Sequence, residues 1–531
     1  NGASLGSNAS ILIEIDNGAV ANAATLEVNG AIASGSIIEG IAFSRSANSG
    51  CCANIGIVIN GSASVWIRGN FFGTGVDGKI AKTLSDRGVY ISGTTADTII
   101  GSDATALLPA YKNVFSATAT AVTTTAPVGL KTTVTIRGNL IGTEVSGNAV
   151  VTGGSMGTGL FLDQLTGASL VSDNVISGTS SVGVSVRSTD GLVIERNLIG
   201  VGVNGTTALG NGSNGGILVE DNPFSVGSGV TGLTIRSNVI ANNAGPGVTV
   251  RRQNAANTVQ GVAISKNVIR NNVGMEIDLY NGNTSDGVTD NDNAALDTDT
   301  GANNLQNFPD ITAATSNGSS IQAQYNFNSE PNKSFTLEFF QVASCDATKT
   351  GGADVFLASL GITTNAAGSA TGTALLSTAL TTGSITATAT NTMNGTSEFS
   401  ACADIVAPVT ALLTIIPSGG GNGVVTGTGI NCGADCTESF LQGSVVTLTA
   451  TPAGGSTFFP GWSGGGCSGT GTCAVTMSAA QTVNAQFSLV APVGQIGPAT
   501  PVPALDAALL VAMALLVALV VAWVTHRPSR W

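Results

Sequence analysis

Residues 183–200 read GVSVRSTDGLVIERNLIG, and this stretch decides the fold. Val184 and Val186 alternate with polar residues after Gly183, as on a strand with one face inward. Ile194 and Ile199 then flank Asn197 in the phrase apolar-x-x-Asn-x-apolar. Both phrases repeat outward from here. The asparagine phrase returns around Asn70, Asn139, Asn174, Asn238 and Asn267, with a weaker copy at Asn113. The glycine phrase returns at Gly56, Gly88, Gly159, Gly216, Gly247 and Gly274. Successive glycines lie 24 to 33 residues apart, except for a gap of 71 between Gly88 and Gly159, in which Gly129-Leu130 reads as a degraded copy. A fixed period of this length marks one coil of a stacked architecture.

Each repeat reads as strand, bend, strand. Glycine supplies positive φ at the corners, and asparagine is the non-glycine residue that best tolerates the left-handed region. An asparagine at the same bend of every coil stacks its amide on its neighbours and satisfies backbone groups along the column. The seven asparagines are therefore expected to be structural. The combination resembles the right-handed parallel β-helix of the pectin-lyase-like superfamily, and its Asn-Val/Leu-Ile phrases look like those of secreted bacterial members, over residues 1–283.

Composition narrows the function. Only 10% of the 531 residues are charged, the net charge is −13, and no Lys or Arg lies between Lys349 and Arg527. Nucleic acid is excluded as a partner on that charge pattern. The 71 glycines suit short strands and turns, so the class is all-β. His526 is the sole histidine and follows an apolar stretch near the C-terminus, which removes His bases, Ser-His-Asp triads and histidine metal sites from the folded body. Residue 1 is Asn, so the chain reads as a fragment or processed form whose export signal is out of view.

Residues 284–307 read as an acidic Asp/Asn-rich linker closing the helix. Asp290-x-Asp292 and Asp297-x-Asp299-x-Gly301-x-Asn303 have the alternating oxygens of a calcium loop, but no Glu stands at an EF-hand's twelfth position, so a solvated linker is the reading and calcium the alternative. Alternating strands over 308–405 predict a β-sandwich, resembling a module that follows such helices in exported bacterial proteins. Residues 411–488, with Cys432-Gly433-x-x-Cys436, Gly461-Trp462-Ser463-Gly464 and Cys467 to Cys473, resemble the divergent internalin-type B repeat of bacterial surface proteins. Trp462 is expected in its core. Pairwise spacing joins Cys345 to Cys402, Cys432 to Cys436 and Cys467 to Cys473, although the last four allow three connectivities, and implies an oxidising compartment. Adjacent Cys51 and Cys52 cannot easily bridge each other.

The tail has a Pro-rich spacer, 489–503, an apolar segment, 504–525, and a basic end, 526–531. About twenty apolar residues span roughly 30 Å as one C-terminal transmembrane helix. Val502-Pro503-Ala504-Leu505 resembles the Ile-Pro-Thr-Leu motif of exosortase sorting signals, matching two of four positions. The resemblance implies a sorting protease as partner; without processing the segment is a plain membrane anchor. Arg527 and Arg530 are expected in the cytoplasm.

Two function classes follow. The favoured one is an exported, cell-surface structural or adhesive protein without catalysis, cofactor-free, whose glycan or protein ligand is unspecified. The alternative is a surface-anchored polysaccharide lyase or hydrolase, which needs paired carboxylates or an Arg or Lys base on one sheet face. Candidates after the first strand of each coil are Asp163, Arg187, Asp221, Arg251 and Arg252, which make no Asp-Asp pair.

Overall fold

The computed structural model describes residues 13–16, 24–30, 33–45, 54–61, 64–95, 97–103, 107–127, 129–282, 285, 287–292, 297, 299–343, 345, 351–391, 393 and 395–489. Residues 13–281 wind through three parallel sheets of nine, nine and eight strands, and each strand pairs with its counterpart one coil away. The result is a parallel β-helix. Representative strands of one coil are Val184–Arg187, Val193–Glu195 and Leu198–Ile199, within the stretch that announced the fold.

Side chains pointing inward form columns. Phe43, Phe72 and Phe115 stack with ring centroids 4.9 and 4.5 Å apart, and Ile141, Ile176, Ile199, Ile240 and Ile269 continue the aliphatic core. Each such side chain stabilises the coil by about 1.5–3 kcal/mol through burial. The phrase glycines exist to leave room for this column. Gly56, Gly88, Gly159, Gly183, Gly216 and Gly247 do not take positive φ, which corrects the expected reason for them. A Cβ on Gly216 would stand 2.6 Å from Ile240 Cγ2 and 2.7 Å from the Gly247 carbonyl of the next coil. The coil between Gly88 and Gly159 has its strand at Thr118–Thr125, in register with Leu84–Ser92, so Ala121 and not Gly129 is the substituted position. Gly274 is also out of register, because Val248 pairs with Ile277 and the column continues at Glu276.

The bends are corrected in the same way. The left-handed residue is the one before six of the seven asparagines, Gly69, Gly138, Asp173, Arg196, Ser237 and Lys266, with φ of 52 to 71°, whereas Lys112 before Asn113 is extended at φ −69°. The asparagine itself turns inward. From Asn70 through Asn113, Asn139, Asn174, Asn197 and Asn238 to Asn267, each Nδ2 donates to the next Oδ1 at 2.9–3.2 Å. The same Oδ1 accepts the backbone N–H of the preceding asparagine, so Asn113 is a full member of the column.

Residues 308–406 form two facing three-stranded halves, Asp310–Ser316, Ile321–Asn328 and Ser369–Leu376 against Ser334–Val342, Val355–Thr363 and Ser384–Asn391, with Ala403–Val406 pairing to both. Tyr325, Phe327, Phe335, Leu337, Phe339 and Ile385 fill the space between them. This sandwich is continuous with the helix in one compact unit, 1–408. A last coil would otherwise present open N–H and C=O groups on all three sheets. The sandwich answers each. Thr396 Oγ1 accepts the Ile264 amide at 2.7 Å, Ile269 and Ala353 exchange backbone bonds at 2.9 and 2.8 Å, and Glu398 Oε1 accepts the Leu279 amide at 2.9 Å.

Residues 284–307 differ from a solvated linker where they are described. Asp297, Asn303, Gln306 and Asn307 are buried, and Asn303 places its amide between the Val262 N–H and the Val262 and Thr396 carbonyls. Its last part, 301–307, packs against the end of the coil, while Ser285, Val288, Asp290, Asn291 and Thr300 are exposed.

The second unit, from Val409, holds two four-stranded sheets around Leu413, Val425, Leu448, Trp462, Val475 and Phe487. Among the described residues no helix is long and apolar enough to cross a membrane. The segment 504–525, the motif at Val502, Pro503, Ala504 and Leu505, Arg527 and Arg530, and Cys51 and Cys52 lie outside the described residues.

Candidate functional site

The strands Thr158–Asp163, Val184–Arg187, Ile217–Glu220, Val248–Arg252 and Ile277–Asn281 lie side by side, and their register places one chemistry-bearing row on the outer face. Asp163 pairs with Arg187, Arg187 with Glu220, Glu220 with Arg251, and Arg251 with Tyr280. Sequence had picked out Asp163, Arg187 and Arg251, and the fold brings these together. Glu220 was overlooked for its neighbour Asp221. The period held the signal, since Asp163, Arg187, Glu220 and Arg251 each stand four residues after a phrase glycine.

Glu220 is fully buried, and its carboxylate binds Arg187 on one side and Arg251 on the other, with Arg251 Nε at 2.8 Å. Gln253 Nε2 donates to it at 2.8 Å. Arg251 also reaches the Tyr280 hydroxyl at 3.4 Å. Burial pushes the Asp163 carboxyl above its ordinary range, against the pull of Ser188 and Arg187. Asp221 is not part of the row. Its two oxygens accept the amides of Gln253 and Asn254 at 2.6 and 2.9 Å, which fixes a loop. Arg252 turns to the Thr300 carbonyl at 3.3 Å.

Beside the row lies a cleft of about 160 Å³ lined by Leu218, Pro246, Thr249, Arg251, Asp278 and Tyr280. Burial raises the Tyr280 hydroxyl above its usual range. This cleft has room for a small polar group, with a guanidinium and a phenol on its wall. A second asparagine ladder, unforeseen, runs from Asn211 through Asn243 to Asn272 at 2.9 and 2.7 Å and ends on Glu276. Its structural role matches the first.

Of the acidic candidates, Asp292, Asp297 and Asp299 have carboxylate oxygens within 4.8 Å of one another, and Asp290 stands outside this group. Asn303, the last position of the alternating pattern, gives its amide to the coil end instead.

In the C-terminal unit Trp462 is buried, packs edge-on against Phe459 and donates its indole N–H to the Gly471 carbonyl at 2.6 Å. It is a core residue. Disulfides join Cys345 to Cys402, Cys432 to Cys436 and Cys467 to Cys473. Residues 413–491 match the family model of the divergent InlB B-repeat domain. No curated protein matches the chain. A parallel β-helix, a bacterial surface-type repeat and disulfides together point to an extracellular protein.

Proposed function

We propose that this chain is an exported structural or adhesive protein of a bacterial surface, in which the β-helix is a non-catalytic scaffold. The observation that carries the reading is the B-repeat match at 413–491, joined through its disulfides to an oxidising compartment. The outer row of the helix supports it. Glu220, the best-buried carboxylate of that row, is held between two guanidiniums and an amide, an arrangement that commits its oxygens to pinning adjacent coils. The apolar tail, 504–525, is the proposed anchor or sorting segment, and a membrane and a sorting protease are its proposed partners.

One observation favours a second reading. The cleft with Arg251 and Tyr280 on its wall offers a guanidinium and a phenol to a bound polar group, which keeps a polysaccharide lyase or hydrolase as the alternative. Surface display is tested by treating intact bacteria that make the protein with a membrane-impermeant amine label. Labelling of the exposed Lys79 and Lys333 on intact cells is expected. Labelling only after lysis contradicts display.

A further inference from the structure

The three carboxylates of Asp292, Asp297 and Asp299 converge beside the plug of the last coil, and the surroundings of Asp297 distinguish them from a surface acidic patch. Asp297 is 6% exposed. Its Oδ2 accepts Ser329 Oγ and, at 3.1 Å, Gln306 Nε2, so the carboxylate cannot turn away. Its Oδ1 is buried and has no hydrogen-bond partner. Gln306, 2% exposed, holds its own Oε1 buried and unpartnered on the amide whose nitrogen touches Asp297. The buried Asp297, with one carboxylate oxygen unpartnered, therefore stands in a group whose three carboxylates offer oxygens within 4.8 Å of one another. An unpaired buried acceptor costs about 1–3 kcal/mol, and more when charged.

We propose that Asp292, Asp297 and Asp299 bind one calcium ion. All three ligands are hard oxygens, and the group has no Cys or His that would favour zinc. Oxygens within 4.8 Å of one another fit around an ion that takes ligands at about 2.3–2.6 Å, and the remaining positions would fall to water. The outer contacts are already built. Asn307 Nδ2 donates to Asp292 Oδ1 at 3.0 Å and Asn307 Oδ1 accepts the Asp292 amide at 3.2 Å, which fixes the second ligand. The ion would tie Asp292, Asp297 and Asp299 to Gln306 and Asn307 at the end of the helix, so it is a structural clamp independent of any catalytic role.

The test is isothermal titration of the full chain, stripped with EDTA, first with CaCl2 and then with MgCl2. One saturable calcium site per chain is expected, tighter than magnesium, and weakened at least tenfold by Asp297→Asn and by Asp299→Asn. Asp310→Asn, an exposed acid just beyond the segment, serves as the control. Asp299 is only half-buried, so its variant keeps the test valid if Asp297→Asn does not fold. Absence of saturable calcium binding overturns the proposal. So does calcium binding by both Asn variants as tight as in the unaltered chain, or magnesium binding tighter than calcium.

Discussion

Glu398, on the sandwich, accepts the Leu279 amide of the last coil at 2.9 Å across 119 residues of sequence, and both its oxygens are engaged by Thr289 as well. It is 1% exposed. Burial pushes its carboxyl up to about 8, and Asp278 adds to the rise. A folded value above the unfolded one means stability that is full below about pH 4.5 and lost as pH rises through about 8. The melting temperature of the larger unit should therefore fall between pH 6 and 9, by the equivalent of a few kcal/mol. In Glu398→Gln this slope should be absent, and calorimetry across that range checks it.

The asparagine column predicts a large penalty for a small truncation. Asn197 Nδ2 donates to Val171 O, Glu195 O and Asn238 Oδ1, and its Oδ1 accepts twice from Asn174. Asn197→Ala leaves buried groups on two neighbouring coils unpaired and should cost about 2–4 kcal/mol. Asn214→Ala, at an exposed loop, should cost under about 0.5 kcal/mol. Urea midpoints of the two variants decide the matter.

The glycine column predicts coupling between coils. Gly216→Ala should destabilise by about 1–3 kcal/mol, because its Cβ meets Ile240 Cγ2 at 2.6 Å. Ile240→Ala removes that atom, so the double variant should be less destabilised than the sum of the singles. A double-mutant cycle with a coupling near zero would show that the glycine serves the backbone alone.

These two columns also show what the sequence could express. The asparagines were legible because one residue type recurs at one bend, and hydrogen-bonded columns demand identity. The glycines were legible as a period, but their cause was not, since a missing Cβ looks alike whether φ or space requires it. Ala121 escaped because the smallest side chain with a Cβ fits the same slot. Asn211 escaped because a longer loop after Asn197 moves it off the five-residue spacing that Asn243 and Asn272 keep after Asn238 and Asn267, whereas Glu220 kept its spacing from Gly216 and was hidden only by its acidic neighbour Asp221. The capping role of Thr396, Glu398 and Ala353 depends on contacts up to 132 residues apart, which no local pattern carries.

The disulfides should differ in weight. Cys345 and Cys402 are 57 residues apart, and opening that loop should cost about 4 kcal/mol by chain entropy, whereas Cys432 and Cys436, 4 apart, should cost about 2. Paired Cys→Ser variants followed by thermal unfolding under non-reducing conditions compare them. Peptide mapping of the unreduced protein should recover the same three pairs.

The scaffold reading is tested most directly by incubating the full chain with a panel of uronic-acid polymers, with and without calcium, and measuring unsaturated and reducing ends. None above a protein-free blank is expected in either condition. Release of such ends that disappears in Asp163→Asn or Arg251→Ala would contradict it and move the function to the cleft beside Tyr280.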